Sequence, residues 1–179
     1  MRIIGGKLRG KVIALPNNYK ARPTTDFAKE GLFNVINNEY DFDGLKVLDL
    51  FGGTGAISFE FASRGASEVY CVEMLPAHSN FIKKQTSDFN LDPILKVVRH
   101  NVFDFLDICT KQFDLIFADP PYAIEGLDTI PDKVFSKDIL TEIGTFILEH
   151  PAEYSFEKHP YFIKEKKYGN VHFSFFEKK

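Results

Sequence analysis

The sequence predicts an α/β fold: a mostly parallel seven-stranded sheet with helices on both faces, closed by an antiparallel hairpin and preceded by a small N-terminal hairpin plus helix. Three observations predict it. From Leu45 onward, short apolar runs alternate with stretches of helical periodicity, the signature of parallel strands joined by crossover helices. The first run, Leu45-Lys46-Val47-Leu48-Asp49-Leu50-Phe51, enters a glycine-rich turn that opens a helix. The tail reads as two strands around Gly169-Asn170, a pair suited to a type II′ turn.

Residues 2–15 alternate around Gly5-Gly6 and Gly10, the pattern of a short β-hairpin, with Pro16-Asn17-Asn18 closing it. A helix follows. Thr24 or Thr25 can cap it, Asp26 suits its positive end, and Phe27, Ala28, Gly31, Leu32, Val35 and Ile36 form a helical stripe up to Asn37-Asn38. Strands are expected at 45–50, 67–72, 94–98, 113–118 and 144–148, with helices near 56–63, 76–89, 103–110 and 126–142. Tyr161–Lys167 and Val171–Phe176 supply the final hairpin. This divides the chain into an extension, 1–40, and a main domain, 41–179, with no internal repeat or linker.

At 179 residues, 44% apolar and 15% aromatic, the chain can bury a full core, and most of its 19 phenylalanines are expected there. Cys71 and Cys109 have no metal-ligand spacing and read as small core residues of a reduced protein. No apolar stretch reaches the length of a membrane span, and Met1–Gly6 lacks a signal-peptide core, so a soluble cytoplasmic protein is expected, without membrane contact. The net charge of −3 argues against a protein that coats nucleic acid. Its distribution argues for a local contact: residues 1–30 carry seven basic side chains (Arg2, Lys7, Arg9, Lys11, Lys20, Arg22, Lys29) against Asp26 and Glu30, hence +5, which leaves −8 elsewhere. A lysine-protected edge hairpin is the plainer alternative.

Two loops carry chemistry. Gly52-Gly53-Thr54-Gly55-Ala56 lets a ligand approach the backbone, but a serine at position 58 breaks the dinucleotide pattern, and Asp49 would repel a pyrophosphate while suiting a cationic ligand. Glu73, ending the second strand, can accept ribose hydroxyls; Asn101 ends the third and can hydrogen-bond adenine, with Phe51 or Met74 against the ring. Each has a bland reading as well: a helix-entry turn, a solvated strand end, a helix cap. The second loop, Asp119-Pro120-Pro121-Tyr122, follows the buried run Phe113–Ala118. Its prolines remove two backbone donors, leaving the Asp119 carboxylate and Pro120 carbonyl as acceptors for a planar amino group whose base stacks on Tyr122.

The blocks Arg2-Ile3-Ile4-Gly5-Gly6 with Arg9-Gly10, Arg22-Pro23-Thr24-Thr25-Asp26 with Glu30 and Phe33-Asn34, Asp49–Ala56 with Ser63-Arg64-Gly65-Ala66, and Asp119–Tyr122 together resemble the RsmD family of bacterial 16S rRNA guanine-N2 methyltransferases. The glycine loop and Asp119–Tyr122 recur in many class I methyltransferases; the N-terminal blocks single out this family. Leu8 stands where an aromatic is frequent, and Lys29 where arginine is usual. The resemblance implies a Rossmann-like class I methyltransferase domain, S-adenosylmethionine as donor and one guanine of small-subunit RNA as acceptor. Carried over by position, Asp49, Gly52, Gly53, Gly55, Glu73 and Asn101 would hold the cofactor, beside Phe51 and Met74 from the reading above, and Asp119, Pro120, Pro121 and Tyr122 the guanine.

The expected activity is therefore methyl transfer from S-adenosylmethionine to guanine N2 of 16S ribosomal RNA. Arg2, Lys7, Arg9, Lys11 and Arg22 would grip the RNA, and the protein is expected to act as a monomer on a small-subunit particle, without a metal. Three rivals fit less well. A DNA adenine-N6 methyltransferase could use the same tetrapeptide, but 179 residues leave little room for a target-recognition domain. A protein glutamine methyltransferase usually shows asparagine where Asp119 stands. A non-catalytic RNA-binding or assembly module would have no need of two intact loops. The acidic loop with Glu125 and Asp128 is unaccounted for.

Overall fold

The computed structural model describes residues 1–16, 19 and 25–178. Asn17, Asn18, Lys20, Arg22, Pro23 and Thr24 lie outside the described residues. In chain order the elements are α1 (Asp26–Glu39), β1 (Lys46–Asp49), α2 (Ala56–Arg64), β2 (Glu68–Val72), α3 (Pro76–Asp88), β3 (Leu95–Val98), α4 (Val102–Ile108) and β4 (Phe113–Ala118). A 3-10 turn at Leu127–Thr129 then leads into α5 (Ile130–Phe135), β5 (Leu140–His150), β6 (Phe162–Tyr168) and β7 (Val171–Glu177). The sheet has the order β3-β2-β1-β4-β5-β7-β6, parallel as far as β5 and antiparallel through β7 and β6. The fold class expected from sequence is the one observed.

Alternation along the strands sends side chains to two cores. On one face Val47, Leu115, Phe117 and Ile147 meet α1 and α2 through Leu32, Phe33, Phe59 and Phe61; on the other, Leu48, Ile116, Phe146 and Leu148 meet α4 and α5 through Leu106, Ile130 and Val134. Ile3 and Ile13 of the N-terminal segment belong to the first core, so the extension packs as part of the main hydrophobic body.

Three boundaries need correction. The helix expected at 126–142 is a 3-10 turn plus six residues, because Pro131 is tolerated only in a first turn and the run from Ile139 to Thr145 is rich in β-branched residues. That run instead lengthens β5 to eleven residues, with a register shift against β4 between Phe113 and Leu115. The N-terminal hairpin is reduced to one antiparallel bridge, Arg2 with Val12, since Gly6 and Gly10 adopt left-handed conformations and the backbone of Ile4, Lys7 and Leu8 bonds to α2. The final hairpin is as expected: Tyr168 pairs with Val171, and Gly169 takes φ 64° as the first central residue of its turn.

Helices leave β1 toward β2 and β4 toward β5, so the strand order reverses between β1 and β4. Such a reversal leaves a crevice at the carboxyl ends of the strands, the place where an open α/β sheet binds ligands.

Candidate active site

At the end of β1 the chain crosses that crevice. Leu50 N–H donates to Phe117 C=O at 2.9 Å and Gly52 N–H to Val72 C=O at 2.8 Å, which pins the glycine loop to both neighbouring strands. Only glycine fits at position 52: a Cβ there would sit 2.5 Å from Cys71 Sγ. Gly55 caps α2 in the left-handed region, φ 78°, and its N–H closes the loop on Gly52 C=O at 2.6 Å.

Glu73 is bound to this loop. Its Oε2 accepts from Gly53 N–H at 2.8 Å and its Oε1 from Leu75 N–H at 2.7 Å, so the carboxylate is held rigidly with lone pairs to spare. Asp49 is buried beneath the loop. Ser58 Oγ donates to its Oδ2 at 2.6 Å, while Oδ1 has no hydrogen-bond partner among the described residues. Burial pushes this carboxyl up to about 6, against the pull of the Ser58 bond, so at neutral pH it is a desolvated negative charge short of one partner. Such an arrangement fits a cationic cofactor. Asn101 realises its bland reading, since Oδ1 caps α4 by accepting from Phe103 and Asp104 N–H. Its amide nitrogen faces Met74 Sδ at 3.7 Å, which leaves a donor beside the exposed Met74 thioether; Phe51, at the end of β1, is half-buried.

Tyr19 joins the site without having been expected there. Its hydroxyl donates to Gly53 C=O at 2.7 Å, and its ring stacks on His78 of α3 at 4.2 Å. Burial, reinforced by the Glu73 charge, pushes the phenol well above its ordinary range and keeps it a donor. The signal present in the sequence is a lone aromatic in a polar segment.

On the other side of the crevice, Asp119 leaves β4 partly buried, Pro120 is buried, and Ile124 N–H donates to Pro121 C=O, so a tight turn over Pro121–Ile124 follows with Tyr122 half exposed in it. Asp119 and Tyr122 both interact with the surrounding protein. Glu149, which no sequence argument singles out, is 4% exposed one residue beyond the Ala118–Leu148 pair. The rule that marks Glu73 and Asp119, a carboxylate ending a strand, applies equally to Glu149 near the end of β5.

The basic arm is anchored through its backbone. Ile4 N–H donates to buried Glu60 of α2 at 3.0 Å, Lys7 N–H to Ser63 C=O at 2.7 Å and Leu8 N–H to Ser63 Oγ at 2.9 Å. The side chains of Lys7, Arg9 and Lys11 remain exposed, while Arg2 pairs with Asp26 at 3.1 Å. Lys29 is a correction to the charge count: it is buried, donates to Arg2 C=O and lies 3.8 Å from Glu60, so it serves the fold and not a phosphate surface.

A family model described as "Conserved hypothetical protein 95" matches residues 1–177. The chain belongs to this family, the RsmD family expected from its N-terminal blocks. Ribosomal RNA small subunit methyltransferase D of Buchnera aphidicola is 35% identical over 122 residues, 68% of this chain and 61% of that protein. Its Escherichia coli counterpart is 34% identical over 68% of this chain and 60% of its own length, so the chain matches about three fifths of these RsmD proteins. Among solved structures, the Escherichia coli protein yhhF superposes with a TM-score of 0.85 at 28% identity, covering 100% of this chain and 99% of that one. Among the described residues no helix is long and apolar enough to cross a membrane.

Proposed function

We propose that this RsmD-family chain transfers a methyl group from S-adenosylmethionine to the exocyclic N2 of a guanine in 16S ribosomal RNA. The observation that carries the reading is the convergence, across one strand-order reversal, of a glycine loop over a buried carboxylate and the Asp119–Tyr122 turn. The names of the RsmD relatives support the substrate. A cytoplasmic monomer acting on a small-subunit particle, with no metal, completes the proposal.

When bound, S-adenosylmethionine supplies a methyl carbon made electrophilic by positive sulfur. The residues do the rest. Asp49 offers the cationic cofactor a negative charge, Glu73 accepts from its ribose, and Asn101 Nδ2 with Met74 and Phe51 suits the adenine. Guanine N2 is a poor nucleophile because its lone pair is delocalised into the ring. Asp119 and the Pro120 carbonyl accept its two N–H bonds, favour the pyramidal amine and stabilise the positive charge that nitrogen gains. Asp119 then takes one proton. Tyr122 stacks on the unpaired base, which offsets about 1–3 kcal/mol of lost stacking.

The test is incubation of the protein with labelled S-adenosylmethionine and either 16S RNA, small-subunit particles or duplex DNA, followed by mass identification of the modified nucleoside. N2-methylguanosine in RNA is the expected product. N6-methyladenosine in DNA, or no product from any substrate, refutes the reading.

Two variants probe the binding sites. Glu73→Ala should weaken S-adenosylmethionine binding by about 1.5–3 kcal/mol, the worth of charge-assisted hydrogen bonds, as read by calorimetry; an unchanged Kd removes Glu73 from the site. Replacing Lys7, Arg9 and Lys11 by glutamine takes away up to three cations that can neutralise phosphates. The slope of log K against log salt for RNA binding should then flatten by about 0.7–0.9 for each phosphate no longer neutralised, with cofactor affinity and Tm nearly constant. A wild-type slope would mean that the RNA docks elsewhere.

A further inference from the structure

Glu149 is the buried acid that the chemistry above leaves without work. It follows Leu148, which pairs with Ala118 in the parallel β4–β5 ladder, so Glu149 and Asp119 end adjacent strands side by side on one face of the sheet. The face is that of Ile147 and Phe173, the latter directly across from Glu149 on β7, so its strand-side neighbour is apolar. Its Oε2 is buried with no hydrogen-bond partner among the described residues. His150, His172 and Glu165 lie on the opposite face of the sheet, where Glu165 pairs with Lys167 at 3.0 Å. Asp119 is the charged group that acts on Glu149.

We propose that Glu149 is a positioning residue of the acceptor site: it holds one proton at neutral pH and shares it with Asp119, so that the pair presents a single, oriented negative charge to the guanine amine. Two carboxyl groups side by side in a nearly dry site do not both ionise, and the more deeply buried one keeps the proton. Burial first, then the Asp119 charge, push the Glu149 carboxyl up to about 9. A protonated Glu149 is a donor. It can fix which lone pairs of Asp119 face the amine, and it prevents a second negative charge from turning Asp119 away. The idea rests on the reading of Asp119 as the acceptor of the N2 amine.

The signature is a pH dependence of folding. A carboxyl whose ordinary value is 4.5 and whose folded value is about 9 binds its proton more tightly in the folded chain, so stability is greatest below 4.5 and falls as pH rises through that window. Glu149→Gln keeps the shape and the donor but cannot ionise. The wild-type folding constant, measured by urea unfolding from pH 5 to 9, should therefore fall relative to that of the Gln variant by up to about tenfold per pH unit. At pH 7.5 the Gln variant should keep kcat within about threefold, whereas Glu149→Ala, which removes the hydrogen bond, should lose about tenfold in kcat with KM for S-adenosylmethionine unchanged. Parallel pH slopes for wild type and Gln variant overturn the proposal, as does wild-type kcat in a folded Ala variant. Asp119→Asn is assayed beside them: full turnover there defeats the acceptor assignment itself, whereas an inactive Asn variant with parallel slopes defeats only the shared proton.

Discussion

Asp119→Ala is expected to lose about 10²–10³-fold in kcat, the magnitude associated with removing one preorganised group that meets charge developing in a transition state. The loss should appear in kcat and kcat/KM together, with S-adenosylmethionine Kd unchanged, because Asp119 belongs to the β4 side of the crevice and Glu73 and the glycine loop to the other. Folding should be spared: Asp119 is partly exposed and leads into a turn whose backbone bond runs from Ile124 to Pro121. Single-turnover methylation with calorimetry on the same preparation checks both halves. Wild-type kcat, or loss of cofactor binding in step with activity, would sink the assignment.

The largest effect on stability should come from Glu60, on α2. Its carboxylate is fully buried on α2 and serves Ile4 N–H, Lys29 Nζ at 3.8 Å and Arg64 at 2.9 Å. Replacement by alanine leaves the Lys29 ammonium in the core with only the more exposed Asp26 as counter-charge and orphans the Ile4 donor, a combination expected to cost about 3–5 kcal/mol. Lys29→Met together with Glu60→Leu removes both charges and should recover much of that loss, as apolar replacement of a whole buried pair does elsewhere. Urea unfolding of the two variants decides it, and a loss under about 1 kcal/mol for Glu60→Ala would show that water reaches the pair.

The parallel strands are legible because a strand buried on both faces is a bare apolar run, and β1, β2 and β4 are such runs bounded by polar residues. The span 126–142 misleads for the complementary reason: Ile130, Val134 and Ile139 fit helical spacing, yet Pro131 and the β-branched stretch after it decide the structure, and their weight depends on the neighbouring β4 edge. In the site, Glu73 and Asp119 can be located because each follows the last residue of a strand, and Gly52 because it opens the glycine-rich turn after β1. Lys29 cannot be separated from the other arm cations by sequence, since its burial depends on Glu60, thirty-one residues away. Tyr19 acts through a contact with Gly53 that no local pattern encodes.

The arm is fastened to the last turns of α2, and the first turn of the same helix issues from the glycine loop. One nine-residue helix, buried along nearly its whole length, thus joins the basic arm to the glycine loop. Thermodynamic linkage makes such a joint reciprocal: whatever factor RNA on the arm contributes to cofactor affinity, the cofactor must return to RNA affinity. On the proposed function, the same connection gives the donor site and the substrate surface a common mechanical element through which either can sense the other.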